Sequence, residues 1–289
     1  MTVATAERVY DTGGLDPYPD GLYQTTGIAQ GVNGFENVTA ANIEQFFTQG
    51  YLVIHNAFTS AEIQSAKDGL LYLMAGKNPD FTGFHFEKKA EGVEIEGLPI
   101  ESRQDYVRKF WRFVEYEDRL KALSEHPKLL STIRQIMGGE DPLLFQDMAL
   151  LKPPRIGREK PWHQDHAYFQ LPLETVVVGA WIALDEATID NGCMVVNPGS
   201  NREGPVVHFQ RRDWQICDTH INNLGAIAVP LKPGGCLLFS SYTQHGTPVN
   251  KTNQRRRALQ FHYKPVSAGA ISQDERLAVF GSEGKDVTC

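Results

Sequence analysis

The segment Pro161-Trp162-His163-Gln164-Asp165-His166 gathers the residue types with the most chemistry in the chain. In an extended backbone alternate side chains share a face, so His163 and Asp165 point one way and Gln164 the other. An imidazole and a carboxylate placed like this can fill two adjacent positions on one metal ion. A third ligand must come from elsewhere, and His245, in Thr243-Gln244-His245-Gly246, is the best placed candidate. Two imidazoles and one carboxylate on one face of a metal, with the opposite face open, are the donor set of non-haem Fe(II) oxygenases. Arg256 follows eleven residues after His245. Its planar fork suits a carboxylate, so a dicarboxylate can be gripped at one end while the other end chelates the metal.

Each fragment also has a plainer reading. One histidine among nine is more often a satisfied surface or core residue than a ligand. An arginine in the run Arg255-Arg256-Arg257 often belongs to a solvated face. The His-Gln-Asp-His segment shares the second half of an H-x-H-x-D-H zinc hydrolase pattern, but Pro161 stands where the first histidine is needed. A cupin-like metalloenzyme without a dicarboxylate co-substrate and a non-catalytic jelly-roll binding module both stay open on these residues alone.

The elements that must hold these groups lie mostly between 141 and 265. Apolar, β-branched runs at 143–151, 176–184, 193–197, 226–231, 236–240 and 258–263 predict strands, punctuated by Asn191-Gly192, Pro198-Gly199 and Pro233-Gly234-Gly235. Many short strands without alternating helices predict an antiparallel sandwich or barrel. Ahead of it, Thr39 caps a helix with Ile43, Phe46 and Phe47 on one face, Gly50 stops it, and 51–54 reads as a buried strand. Thr59 and Glu62 form a capping box opening a helix to about Met74. Helical spacing returns over 119–137 and ends at Gly138-Gly139. The stretch 77–105 around Phe81, Phe84, His85 and Phe86 reads as a lid or as a surface insertion. The expected architecture is therefore one α+β domain over 1–289. It comprises an irregular arm at 1–38 without chemistry, a helical layer and lid loop at 39–140, a jelly-roll core at 141–265 and a tail at 266–289.

A length of 289 residues fits one large unit or two small ones. With 28 basic against 35 acidic residues, a net charge of −7 excludes a nucleic-acid or anionic-membrane footprint. The longest apolar run, at 176–184, is far short of the ~20 residues that cross a bilayer. The first fourteen residues carry no secretory apolar region. Cys193, Cys217, Cys236 and Cys289 have no C-x-x-C spacing. A cytoplasmic protein with reduced thiols and a small-molecule substrate is expected.

The chain resembles the phytanoyl-CoA dioxygenase family of Fe(II)/2-oxoglutarate oxygenases from Asn42 to Tyr263. The resemblance rests on Phe46-Phe47-Thr48-Gln49-Gly50-Tyr51-Leu52-Val53-Ile54, Trp162-His163-Gln164-Asp165, Trp181-Ile182-Ala183-Leu184-Asp185-Glu186, Asp190-Asn191-Gly192-Cys193, Pro198-Gly199-Ser200, and His245-Gly246 with Arg256. It implies a double-stranded β-helix in which His163, Asp165 and His245 hold Fe(II) and Arg256 binds the distal carboxylate of 2-oxoglutarate, with O2 as oxidant. It further places Lys109, Gln146, Met148 and Trp181 around that co-substrate. In the implied fold Phe84, His85, Phe86, Tyr168, Phe169 and Trp214 become candidate substrate walls. Related halogenases lack the metal-binding carboxylate, so Asp165 points to hydroxylation or a related C–H oxidation. Asn201 stands where relatives commonly carry histidine, at a position that is not a ligand.

Overall fold

The computed structural model describes residues 8–11, 13–14, 16–221 and 225–281. Two sheets face each other across an apolar interior. The larger runs, edge to edge, through Val9–Tyr10, Phe84–Phe86, Val107–Trp111, Pro142–Lys152, Arg256–Pro265, Val178–Ala183, Cys236–Ser240, Tyr51–His55 and Gly31–Asn33. The smaller runs through Gly27–Ile28, Ile227–Val229, Met194–Val196, His245–Thr247 and Lys160–His163. From Lys160 onward most successive strands alternate between the two sheets and pair with distant strands, the winding of a jelly roll.

The period-two alternation of each long strand sorts side chains between two cores. Trp181, Ala183, Leu237, Phe239 and Ala258 fill the space between the sheets with Val196 and Val229. Ile182, Leu238, Leu259 and Phe261 face outward and are covered by helices Ser60–Met74, Asp118–Ser124 and Pro127–Ile136 through Leu70, Leu73, Leu120, Leu123, Leu129 and Ile133. Those helices start and stop where their caps dictate. The Thr59 hydroxyl accepts from the Glu62 backbone N–H while the Glu62 carboxylate accepts from the Thr59 N–H. Gly50, at φ 83°, ends the helix Ala40–Gln49 in the left-handed conformation that favours glycine.

Four expectations are corrected. The helical stretch at 119–137 is two helices, broken at His126 because Pro127 has no N–H to continue a helix and instead starts the next one. The stretch 77–105 is ordered by Phe84–Phe86 pairing with Val107–Trp111. The N-terminal arm contributes strands to both sheets, and its Asp11 reaches the central cavity. Cys193 and Cys236 are free and buried, whereas Cys217, half-buried outside both cores, is disulfide-bonded rather than reduced; Cys289 lies outside the described residues. The tail adds the helix Gln273–Phe280, capped by Ser272 and Glu275, with Phe280 buried. No described helix is long and apolar enough to cross a membrane.

Candidate active site

His163 ends the strand Lys160–His163 and stands directly opposite His245 in the neighbouring strand. Gln164 keeps an extended backbone, φ −111° and ψ 129°, so Asp165 returns to the face of His163 before a short 3-10 turn begins. The three buried side chains bring one ligand atom each within 4.8 Å of the others. Asp165 Oδ1 lies 3.2 Å from His163 Nε2 and 3.7 Å from His245 Nε2. Backbone carbonyls orient both imidazoles. His163 Nδ1 is 2.7 Å from the Pro161 carbonyl and His245 Nδ1 is 2.9 Å from that of Thr243. A carbonyl only accepts, so each Nδ1 carries a proton and each Nε2 is left to face the shared centre, the atom that would ligate a metal. Burial, reinforced by nearby His163, pushes His245 down to about 3, keeping it neutral and able to ligate.

Burial opposes ionisation of Asp165, but the imidazoles of His245, His262 and His163 outweigh it and hold the carboxyl well below its usual range. Its second oxygen, Oδ2, accepts from His262 Nε2 at 2.7 Å and from Gln260 Nε2 at 3.2 Å. Both donors come from the strand Arg256–Pro265, whose alternation puts 256, 258, 260 and 262 on the inner face. Extending that alternation from Arg256 would have found them.

A cavity of 260 Å³ opens beside the His-Asp-His cluster. On its wall the Arg256 guanidinium lies over the Trp181 ring at 5.3 Å and donates to the Leu150 carbonyl at 3.3 Å. Its Nε has no protein partner and it makes no ion pair among the described residues. Burial lowers it to about 10. Its neighbours in the run take the other face: Arg255 pairs with Asp105 and Glu101, and Arg257 grips Asp185 through two bonds of 2.7 and 2.9 Å. A buried cation without an anion is costly, so Arg256 fits an anionic ligand brought by the cavity.

Gln146, Met148 and Trp181 line the same cavity, Met148 and Trp181 both paired in register with Gln260. Lys109 joins them across the edge of the sheet, its ammonium 4.5 Å from the Trp111 ring centre. Burial, with help from Lys160 and Arg108, lowers it to about 8. Thr247, two residues past His245, is a further lining residue that the sequence did not single out. Asp11 is another: it pairs with Arg108 at 2.5 Å and with Arg158.

The candidate substrate walls divide. Tyr168 and Phe169 line the cavity, Tyr168 with its ring edge-on to His163. Trp214 stands behind Tyr168, which donates to its carbonyl at 2.6 Å. Phe84 and Phe86 are corrected, since they pack outward against the helical-side core, Phe84 edge-on to Phe81 and Phe110. His85 takes the opposite face and meets Trp111 without lining the cavity itself. The plainer reading holds for His166, which is buried against Ser241 and Tyr242 away from the ligands.

A family model described as phytanoyl-CoA dioxygenase (PhyH) matches residues 46–258. The chain is 26% identical over 259 residues to a phytanoyl-CoA dioxygenase of Arabidopsis thaliana, covering 80% of this chain and 90% of that protein. It is 26% identical over 241 residues to a methylphosphonate hydroxylase of Gimesia maris, covering 82% and 85%. Among solved structures, the non-haem α-ketoglutarate-dependent carbocyclase SnoK of nogalamycin biosynthesis superposes with a TM-score of 0.63 at 21% identity, over 86% of this chain and 93% of that one. The epimerase SnoN, solved with Fe3+, α-ketoglutarate and nogalamycin RO, gives 0.63 at 19% identity, over 80% and 85%. These structures share the jelly-roll fold found here. The match over 46–258 spans most of the sequence, and the chain belongs to the phytanoyl-CoA dioxygenase family of iron- and 2-oxoglutarate-dependent oxygenases.

Proposed function

We propose that His163, Asp165 and His245 hold Fe(II), that Arg256 takes the distal carboxylate of 2-oxoglutarate, and that the cavity hydroxylates a small organic substrate. The observation that carries this reading is the buried, unpaired Arg256 guanidinium on the same cavity wall as a converging His-Asp-His cluster. Three protein ligands leave room for a chelating co-substrate and for O2. Bound Fe(II) and 2-oxoglutarate supply the activation of O2, one oxygen atom leaving in succinate after loss of CO2 and the other entering the substrate. The protein supplies orientation and a dry pocket. Thr247, which lines the same cavity, offers its hydroxyl as a second contact for the distal carboxylate. Lys109 adds positive charge, and Gln146, Met148 and Trp181 form the walls beside the co-substrate. Tyr168, Phe169 and Met194 are among the lining residues that remain for the substrate itself.

The chain acts as a single domain in this reading, because the cavity draws its walls from Asp11 to Gln260. Anaerobic addition of 2-oxoglutarate to the Fe(II)-loaded protein is expected to raise a visible charge-transfer band. His163→Ala should abolish it by losing the metal. Arg256→Ala should shift its half-saturation to about 10–100-fold more 2-oxoglutarate, the weight of one or two charge-assisted hydrogen bonds. A folded protein that shows no band would overturn the co-substrate assignment.

A further inference from the structure

We propose that His262, seconded by Gln260, is a positioning residue that makes Asp165 a one-oxygen ligand. The inference rests on the proposed metal site and goes beyond it, to a pair of side chains outside the ligand set. Asp165 Oδ1 faces His163 and His245, whereas Oδ2 is turned to the strand behind and occupied by two N–H donors. A carboxylate with both oxygens free can chelate a metal and take two positions. With Oδ2 occupied, one position is taken, and the open face keeps room for both ends of a chelating co-substrate and for O2.

The surroundings of His262 give it no other task. The ring is wholly buried among Phe169, Phe145 and Phe239, whose centres lie 5.0, 6.2 and 6.2 Å away. Its Nδ1 has no partner among the described residues, so its one hydrogen-bond partner is Asp165, on whose Oδ2 the adjacent Gln260 amide also converges. A histidine kept for packing alone would leave such a group buried at a loss, and phenylalanine or leucine would fill the cage without it. Because the ionised carboxylate only accepts, the proton sits on Nε2. The aromatic cage fixes the ring, and the ring fixes which carboxylate oxygen is free.

The test pairs two conservative variants. Glutamine presents its amide nitrogen near the position of Nε2 and asparagine near that of Nδ1, so His262→Gln keeps the donor and His262→Asn loses it. Co(II) is titrated into each folded variant without oxygen, and its visible spectrum reports the number of ligand atoms; 2-oxoglutarate is then added and its affinity read from the change. The unaltered protein and His262→Gln are expected to agree. His262→Asn should show the weaker absorption of a higher coordination number and bind 2-oxoglutarate about 10–100-fold more weakly, the usual cost of losing a residue behind a metal ligand. Gln260→Leu should shift both readouts in the same direction by less. Identical spectra and affinities for His262→Gln and His262→Asn would overturn the proposal while leaving the metal site intact. Failure of the unaltered protein to bind Co(II) would instead overturn the metal site.

Discussion

Arg256 and Lys109 are both cavity cations without an ion pair among the described residues, yet they respond differently to pH. Arg256 is lowered only to about 10 and stays charged at neutral pH. Lys109, lowered to about 8, is a cation below that pH and neutral above it. If it contributes to 2-oxoglutarate binding, affinity should be full near pH 7 and fall as pH rises through 8 to 9. Titrations of the Fe(II) protein at several pH values check this, and the fall should vanish in Lys109→Met. A flat profile in the unaltered protein would remove Lys109 from the co-substrate site. Residue types and spacing made much of this scale legible. His163 and Asp165 share a face by alternation, whereas Arg256 was singled out from Arg255 and Arg257 by its spacing from His245 and by the family resemblance, the expected strand starting only at 258. Asp11 was not legible, because it lies on an arm without periodicity and reaches the cavity only through long-range pairing with Arg108 and Arg158.

At the level of strands, the cavity depends on a glycine. Gly179 is paired with Phe239 on one side and His262 on the other. A methyl group there would come within 2.5 Å of the Phe239 ring, which packs edge-on against His245 at 4.8 Å. Gly179→Ala should therefore cost about 1–3 kcal/mol through overpacking and weaken metal binding by displacing Phe239 toward His245. Thermal melts and Co(II) titration measure the two effects, and a variant with native affinity would show that the ring yields elsewhere. The positions of six core strands were foreshadowed by the apolar runs, with ends off by at most two residues, as where the run at 258–263 proved to be Arg256–Pro265, whereas the short strands Lys160–His163 and His245–Thr247 carry no such run. Which face of Phe84–Phe86 points inward was not foreshadowed. Alternation separates His85 from its neighbours, but only pairing with Val107–Trp111 decides which side meets the helices.

For the molecule as a whole, buried histidines outside the ligand set govern its acid limit. Burial lowers His208 to about 3 and His166 to about 4. In the unfolded chain both take protons near pH 6.5, while the folded state refuses them until about 3 to 4, so stability is present above pH 6.5 and lost as pH falls. Each histidine contributes roughly 1.4 kcal/mol per pH unit in that window. Denaturant melts of metal-free protein between pH 7.5 and 5 should show the midpoint falling, less steeply in His208→Asn; a constant midpoint would contradict it. The strand Arg256–Pro265 has a consequence of another kind. It is late in the sequence but central in the larger sheet, wedged between Pro142–Lys152 and Val178–Ala183. During synthesis those two strands emerge first and expose two unpaired apolar edges until the last strand leaves the ribosome and closes the gap. The growing chain is therefore most prone to aggregate in the interval before Arg256–Pro265 appears, and the segment that brings Arg256 to the cavity is also the one that ends this exposure.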